Sequence, residues 1–136
     1  QYGFAEGRTD SSATAFAGSE GDNRLFGRDF DDHLMGLGGQ DILIGGAGND
    51  TLEGGAGSDV FIFAGNHGND SIVGFDATDD AEDIDLSGIA AISNFADLNP
   101  SVMTEVGDDV VINTGTGTIT LLDTEITDLH EEDFLF

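Results

Sequence analysis

The chain has 136 residues, enough for one domain with a modest hydrophobic core, and it contains no cysteine, which excludes disulfides and thiolate metal sites. Its 28 Asp and Glu against 3 Lys and Arg give a net charge of −25, which favours cations as partners and disfavours nucleic acids and anionic membranes, because phosphate binding requires Lys and Arg. No apolar run approaches the roughly 20 residues of a membrane-spanning helix, so membrane insertion is not expected.

The chain begins at Gln1 without a charged and apolar leader segment. This start predicts a piece of a longer protein, with a parent domain N-terminal to it. Residues 1–17 are interpreted as a lead-in that contains a degenerate first repeat. In that repeat Thr14 stands in for the acid and Phe16 is the apolar residue.

Residues 18–73 repeat every nine residues. An acid or amide at the sixth position of each repeat is followed two residues later by an apolar side chain, and the glycines of this stretch lie mostly at first, second and fourth positions. The sixth positions are Asn23, Asp32, Asp41, Asp50 and Asp59, and Asp70 continues the series after a two-residue insertion. A disordered glycine-rich linker would have no reason to keep an apolar residue two places after each acid.

The nine-residue period predicts short strands, because a helical pitch of 3.6 residues would spread the apolar positions around the axis. A six-residue turn and a three-residue strand fit each repeat, with the central strand side chain facing inward. The predicted strands are Arg24–Phe26, His33–Met35, Ile42–Ile44, Thr51–Glu53 and Val60–Ile62. Two repeats then complete one coil, which stacks the sixth positions into two columns: Asn23, Asp41 and Asp59 in one, and Asp32, Asp50 and Asp70 in the other.

Carboxylates stacked at the strand spacing of about 4.8 Å repel one another unless a cation lies between them. Glycine permits left-handed turns that aim backbone carbonyls inward. A flexible site made only of carboxylate and carbonyl oxygens suits Ca²⁺ better than Mg²⁺. The sequence therefore predicts several calcium ions along the two columns.

These repeats resemble the RTX (repeats-in-toxin) calcium-binding nonapeptide repeat, G-G-x-G-x-D-x-U-x. "GGAGNDTLE" and "GGAGSDVFI" match it fully, "GLGGQDILI" nearly does, "GNHGNDSIV" restores it after the insertion, and "GSEGDNRLF" and "GRDFDDHLM" are weaker copies. The resemblance implies an all-β fold, a parallel β-roll (β-solenoid), with Ca²⁺ held between adjacent turns. It implies as ligands the sixth-position side chains and the carbonyls of Gly27, Asp29, Gly36, Gly38, Gly45, Ala47, Gly54 and Ala56.

Residues 74–136 are predicted to form a small β-rich cap on the roll. "DVVIN" and "TITLL" are interpreted as strands joined by the turn Thr114–Gly117, whereas residues 94–107 show weak helical or turn character that Pro100 limits. Phe134, Leu135 and Phe136 are predicted to form a last strand that covers an exposed edge of the roll. This region also resembles the flank that follows RTX repeats in secreted bacterial proteins, which implies export by type I secretion machinery and an extracellular location.

Two functions stay open at this point. The first is a non-enzymatic module that couples calcium binding to the folding and secretion of a larger exported protein. The alternative is a polysaccharide- or surface-binding (adhesion) module attached to an extracellular enzyme. No serine lies in a G-x-S-x-G elbow, and His33, His67 and His130 match no zinc spacing and are expected at the surface.

Overall fold

Apolar side chains from alternate repeats stack in register, and this stacking builds the fold. In the structure, a computed structural model that describes residues 15–77 and 82–136, Leu25 pairs with Leu43 in one sheet and Leu34 pairs with Leu52 in the other. All four side chains are fully buried. The partners in each pair are 18 residues apart. Two nonamers therefore make one coil, as the sequence predicts.

The described residues contain twelve strands. They are β1 Ala15–Ala17, β2 Arg24–Arg28, β3 His33–Met35, β4 Ile42–Gly46, β5 Thr51–Glu53, β6 Val60–Ala64, β7 Gly68–Val73, β8 Asp83–Gly88, β9 Met103–Val106, β10 Asp109–Asn113, β11 Gly117–Leu121 and β12 Phe134–Leu135. Short 3₁₀ turns span Phe95–Asp97, Ile126–Asp128 and Glu131–Asp133. Within the described ranges, no helix has the length and apolar character needed to span a membrane.

The described strands form two sheets that share one hydrophobic core. The first sheet has the order β1-β3-β5-β7-β11-β10-β9, and the second has the order β12-β8-β6-β4-β2. Strands of the repeats pair in parallel, whereas β9, β10 and β11 pair in an antiparallel manner. The fold is an all-β parallel β-roll that continues into a small C-terminal β-rich region, which confirms the predicted fold class.

The repeat strands lie where the period predicts them. β3 and β5 have the predicted bounds, and β2, β4 and β6 each run two residues further than predicted. The extension arises because the backbone keeps pairing into the next repeat, where Arg28 pairs with Gly46. Phe16 pairs with Leu34 in β1, as expected for a degenerate repeat. Thr14, its predicted sixth position, lies outside the described residues.

The C-terminal region contains the predicted hairpin and two strands that the sequence did not predict. β10 and β11 form the hairpin, and β11 adds to the roll in parallel beside β7. β8 lies in the acidic segment and buries Ile84 and Leu86 in alternation. Helical or turn character was expected over residues 94–107, and the 3₁₀ turn Phe95–Asp97 confirms it for the first part, whereas it is wrong for β9. β9 buries only Met103, so its pairing with β10 decides its structure rather than its own apolar pattern.

The chain ends on a short strand at one edge of the second sheet. β12 pairs in parallel with β8, where Phe134 lies opposite Ile84. Phe134 is buried, but Leu135 and Phe136 are 42% and 36% exposed, and Phe136 lies outside the strand. A last strand on an exposed edge is thus confirmed for two residues. Only the first of the three side chains is buried in the core.

Candidate metal sites

Sixth-position side chains of alternate repeats stack on one edge of the roll. In the first column, Asp41 Oδ1 accepts the backbone N–H of Asn23 at 2.7 Å. Asp59 Oδ1 accepts the backbone N–H of Asp41 in the same manner, at 2.9 Å. All three side chains are buried. The structure therefore brings together the three residues that the sequence assigns to this column.

The second column has the same geometry. Asp50 Oδ1 accepts the backbone N–H of Asp32 at 2.8 Å, and Asp70 Oδ1 accepts the backbone N–H of Asp50 at 2.8 Å. These side chains are also buried, and Asp70 keeps its place despite the two-residue insertion before it. In both columns one carboxylate oxygen joins two coils through a backbone hydrogen bond.

The second carboxylate oxygen of the middle aspartates is buried without such a bond. Asp41 Oδ2 and Asp50 Oδ2 find no hydrogen-bond partner among the described residues. Burial, together with repulsion from the neighbouring carboxylates Asp59 and Asp70, raises the pKa of Asp41 to about 6 and that of Asp50 to about 7. A buried carboxylate oxygen without a hydrogen-bond partner is suited to bind a cation, because the cation would supply both the missing partner and the opposite charge.

First-position glycines make room for these oxygens. A methyl group at Gly36 would lie 2.4 Å from Asp41 Oδ2 and 2.6 Å from the carbonyl oxygen of Gly54 in the next coil. A methyl group at Gly45 would lie 2.3 Å from Asp50 Oδ2. Carboxylate and carbonyl oxygens thus converge on bare backbone, and this donor set fits a hard cation such as Ca²⁺. The four predicted first-position glycines are buried: Gly27, Gly36, Gly45 and Gly54.

The third-position residues lie on the turns at the same edges. Gly38 is buried, whereas Asp29, Ala47 and Ala56 are exposed. The N–H of Ala47 donates to the carbonyl of Arg28 at 2.7 Å, which links the turns of alternate repeats. The placement of these residues agrees with a turn site, and their role as carbonyl ligands stays a prediction.

The turns also depend on left-handed backbone at the fourth position. Gly48 has a φ of +115°, and a methyl group there would lie 2.1 Å from the carbonyl oxygen of Phe30. Phe30 itself adopts a φ of +69° at the corresponding place. Stacking therefore demands both an unusual φ and the absence of a side chain at Gly48.

A second ladder of hydrogen bonds, which the sequence analysis missed, runs beside each column at the fifth position. Asp22 Oδ1 accepts the N–H of Gln40 at 2.7 Å. Asp31 Oδ1 accepts the N–H of Asn49 at 2.7 Å, and Asn49 Oδ1 accepts the N–H of Asn69 at 2.9 Å. The available signal was that each of these fifth positions holds a polar residue. Asparagine and aspartate act alike here, so this ladder needs an acceptor and not a charge.

The histidines differ from the expectation of three surface side chains. His33 is half-buried beside Glu53, at 3.6 Å from its carboxylate, and His130 is exposed. His67 is only 3% exposed, so the expectation is wrong for this residue. Its ring bonds to Asp70 and to Thr114, which is 47 residues further along the chain. A contact over that separation leaves no local signal in the sequence.

Acidic residues also gather away from the columns. A cleft of about 450 Å³ is lined in part by the exposed side chains of Glu105, Asp108, Asp123 and Glu125. Across residues 15–77 and 82–136, no three His, Cys, Asp or Glu side chains are arranged to hold a metal ion together. The predicted sites instead combine sixth-position side chains with backbone carbonyls.

Comparison of the sequence with known families gives a match over these same repeats. The RTX calcium-binding nonapeptide repeat, in four copies, matches residues 17–52 and 26–61. Residues 17–61 therefore carry RTX calcium-binding nonapeptide repeats. Calcium, in several ions, is accordingly the cofactor of the repeats, as the sequence predicts. Among curated protein sequences, none matches the chain.

Solved RTX structures share the fold. The extracellular lipase LipA from Serratia marcescens is 21% identical with a TM-score of 0.76, and the match covers 96% of this chain and 20% of the lipase. The AlgE6R3 subunit of the Azotobacter vinelandii mannuronan C5-epimerase is 23% identical with a TM-score of 0.74, covering 95% of this chain and 81% of that subunit. The chain thus spans about a fifth of the lipase. At these identities the likeness shows the β-roll fold alone.

Proposed function

We propose that this chain is a non-enzymatic module that folds when it binds calcium and that serves the export of a larger secreted bacterial protein. The observation that carries the proposal is the pair of buried carboxylate oxygens, Asp41 Oδ2 and Asp50 Oδ2, which have no hydrogen-bond partner among the described residues. The oxygens lie in columns of a chain whose net charge is −25. The match of residues 17–61 to the RTX calcium-binding repeat supports the same proposal.

Each residue type in the columns has a separate task. Asp41 and Asp50 fix the coil before them by accepting a backbone N–H with Oδ1, which leaves Oδ2 for the ion. Gly36 and Gly45 keep the space beside that oxygen open. When bound, Ca²⁺ supplies the positive charge that the columns lack. The polar side chains of the fifth position hold the turns in register around the site.

Folding then depends on the calcium concentration through linkage. An ion that binds the folded chain and not the unfolded chain stabilises the fold by mass action. In a cytoplasm with little calcium the repulsion among the carboxylates keeps the chain unfolded, which suits passage through a type I secretion channel. Extracellular calcium-binding modules bind at roughly 10⁻⁴–10⁻³ M, so millimolar calcium outside the cell folds the chain.

A calcium titration followed by far-UV circular dichroism tests the folding function. We expect a β-sheet signal to appear cooperatively as calcium replaces EDTA. Magnesium at the same ionic strength is the control, and we expect it to have a much weaker effect, because it demands octahedral geometry and dehydrates reluctantly. A full β-sheet signal in excess EDTA would contradict the proposal.

Export is tested separately on the C-terminal tail. A variant of the parent protein from which residues 134–136 are deleted lacks the strand residues Phe134 and Leu135, and we expect it to remain in the cell. Fusion of residues 74–136 to an unrelated soluble passenger should direct that passenger to the medium when type I machinery is present. Normal export of the shortened parent would exclude the tail as the signal without affecting the calcium result.

Polymer or surface binding is the second candidate. It is favoured by the likeness to a subunit of a mannuronan C5-epimerase, of which the match covers 81%. The charge of −25 argues against acidic glycans as ligands. Titration of the calcium-loaded chain with neutral and acidic polysaccharides distinguishes the candidates, because the folding module alone should bind neither.

A further inference from the structure

The second aspartate column ends at Asp70. The next strand in that sheet is β11, and its register with β7 places Ile119 opposite Asp70. Ile119 is fully buried in the core. Asp32 and Asp50 are each followed by a carboxylate in the next coil, whereas the coil after Asp70 offers an apolar side chain.

Both oxygens of Asp70 already have partners within the protein. Oδ1 accepts the backbone N–H of Asp50 at 2.8 Å, and Oδ2 lies 2.7 Å from His67 Nδ1. The side chains of His67 and Asp70 are each only 2% exposed. A carboxylate only accepts hydrogen bonds, so His67 Nδ1 is the donor. Asp50 differs, because its Oδ2 has no hydrogen-bond partner among the described residues.

The other side of the His67 ring is also fixed. Its Nε2 lies 2.8 Å from Oγ1 of Thr114, in the turn between β10 and β11, and the edge of the ring meets Phe63 at a centroid distance of 5.5 Å. Thr114 is 3% exposed, and its Oγ1 also lies 3.1 Å from the carbonyl oxygen of Gly117. The hydrogen bond between His67 and Thr114 therefore fixes the β10–β11 turn to the roll. Because the Thr114 hydroxyl is buried, it is not available to solvent as a nucleophile.

We propose that the His67 side chain takes the place of a metal ion beside Asp70, so that Asp70 binds no calcium and the β10–β11 turn is held by a hydrogen-bonded chain through His67. His67 occupies the third position of its repeat, where Ala47 and Ala56 stand in earlier repeats. An imidazole at this position fills the space that an alanine leaves open. This inference rests on the proposed calcium sites elsewhere in the column, and it revises the prediction that Asp70 is a ligand.

Counting the calcium ions bound to the intact chain by native mass spectrometry tests the proposal. Asp50→Asn and Asp70→Asn remove the same charge from the same column and keep an oxygen for the backbone hydrogen bond. We expect Asp50→Asn to bind at least one ion fewer than the natural chain and Asp70→Asn to bind the same number. Loss of an ion in Asp70→Asn would overturn the proposal. A natural chain that binds no ion would instead refute the proposed function.

A second measurement does not depend on calcium binding. In NMR spectra the hydrogen-bonded Nδ1–H of His67 should give a slowly exchanging signal, both with calcium and in EDTA with trimethylamine N-oxide to promote folding. Absence of this signal in the folded chain, or its loss on adding calcium, would overturn the proposal.

The matched variants are His67→Ala, which restores the residue type of the earlier repeats, and His33→Ala at a half-buried site. His67→Ala should lower the melting temperature under both conditions without lowering the calcium count. His33→Ala should change neither. A lower calcium count in His67→Ala would contradict the proposal, because that variant keeps every proposed ligand.

Discussion

Replacing Asp50 with asparagine should change the stability of the metal-free roll and its response to calcium in opposite directions. The amide oxygen of asparagine can still accept the N–H of Asp32, as Asp50 Oδ1 does at 2.8 Å. The substitution removes a buried negative charge whose Oδ2 has no hydrogen-bond partner among the described residues. Without metal the buried charge destabilises the fold, and with calcium the carboxylate oxygen becomes a ligand. Asp50→Asn should therefore fold more readily in EDTA and respond less to calcium.

The pKa of Asp50 sets the size of the first effect. Burial, with repulsion from Asp70 and Asp32, raises this pKa from 3.8 to about 7. At 1.36 kcal/mol for each pKa unit, keeping the carboxylate charged at about pH 8 costs the metal-free fold about 4 kcal/mol. Relaxation and water entry reduce such values, so we expect a gain of about 2–4 kcal/mol for Asp50→Asn. This is a large share of the roughly 5–15 kcal/mol that stabilises a typical domain.

The assay compares folding induced by trimethylamine N-oxide in EDTA with folding induced by calcium, both followed by circular dichroism. The control is Asp31→Asn, which removes the same charge from an exposed fifth position. An asparagine serves equally well at the fifth position of another repeat, where Asn49 accepts a backbone N–H at 2.9 Å. We expect the control to leave both midpoints nearly unchanged. An Asp50→Asn variant that needs as much osmolyte as the natural chain, or as little calcium, would refute the reasoning.

Three further predictions follow from burial and backbone geometry. In EDTA with trimethylamine N-oxide, the fold should be more stable at about pH 5 than at about pH 8, because the folded pKa values of Asp41 and Asp50, about 6 and about 7, exceed 3.8 and this stability is lost as the pH rises through them. An equal or higher osmolyte midpoint for folding at pH 5 would contradict this. Gly48→Ala should strongly raise the calcium concentration at the folding midpoint, because the added methyl group would lie 2.1 Å from a carbonyl oxygen of the preceding coil. The control Gly107→Ala has a φ of +66° and nothing within 4 Å, so it should cost only the strain of left-handed backbone, about 1–2 kcal/mol. Phe134→Ala should cost about 3 kcal/mol in calcium, measured by urea unfolding, because this side chain is 4% exposed in the core; a loss below 1 kcal/mol would show that the last strand does not stabilise the roll.

The repeat region was predictable because each of its contacts follows from a local spacing. Nine residues fix one turn and one strand, and two repeats fix the coil, so the pairs Leu25 with Leu43 and Asp32 with Asp50 follow by counting. Even Asp70 was placed correctly, since the insertion before it lengthens a turn and leaves the strand in register. The bounds of β2, β4 and β6 were two residues short, because pairing between coils continues past the apolar triplet.

The C-terminal region was less predictable because its structure depends on distant partners. β9 has one buried residue and forms only because β10 pairs with it. His67 has no distinguishing neighbours in sequence, and its burial depends on the β10–β11 turn folding back over the roll so that Thr114 reaches it. The fifth-position ladder was visible as a run of polar residues. The function of these polar residues could be recognised only from the coil geometry, in which each side chain accepts a backbone N–H of the next coil.

Long-wavelength anomalous diffraction from crystals grown in calcium tests the central claim most directly, because it locates calcium ions individually. We expect anomalous peaks between adjacent turns on both edges of the roll, about 2.3–2.6 Å from Asp41 Oδ2 and Asp50 Oδ2. We expect none within bonding distance of Asp70 Oδ2, which lies 2.7 Å from His67 Nδ1. Peaks confined to the exposed cleft that Glu105 and Asp123 line, with none along the aspartate columns, would contradict the account.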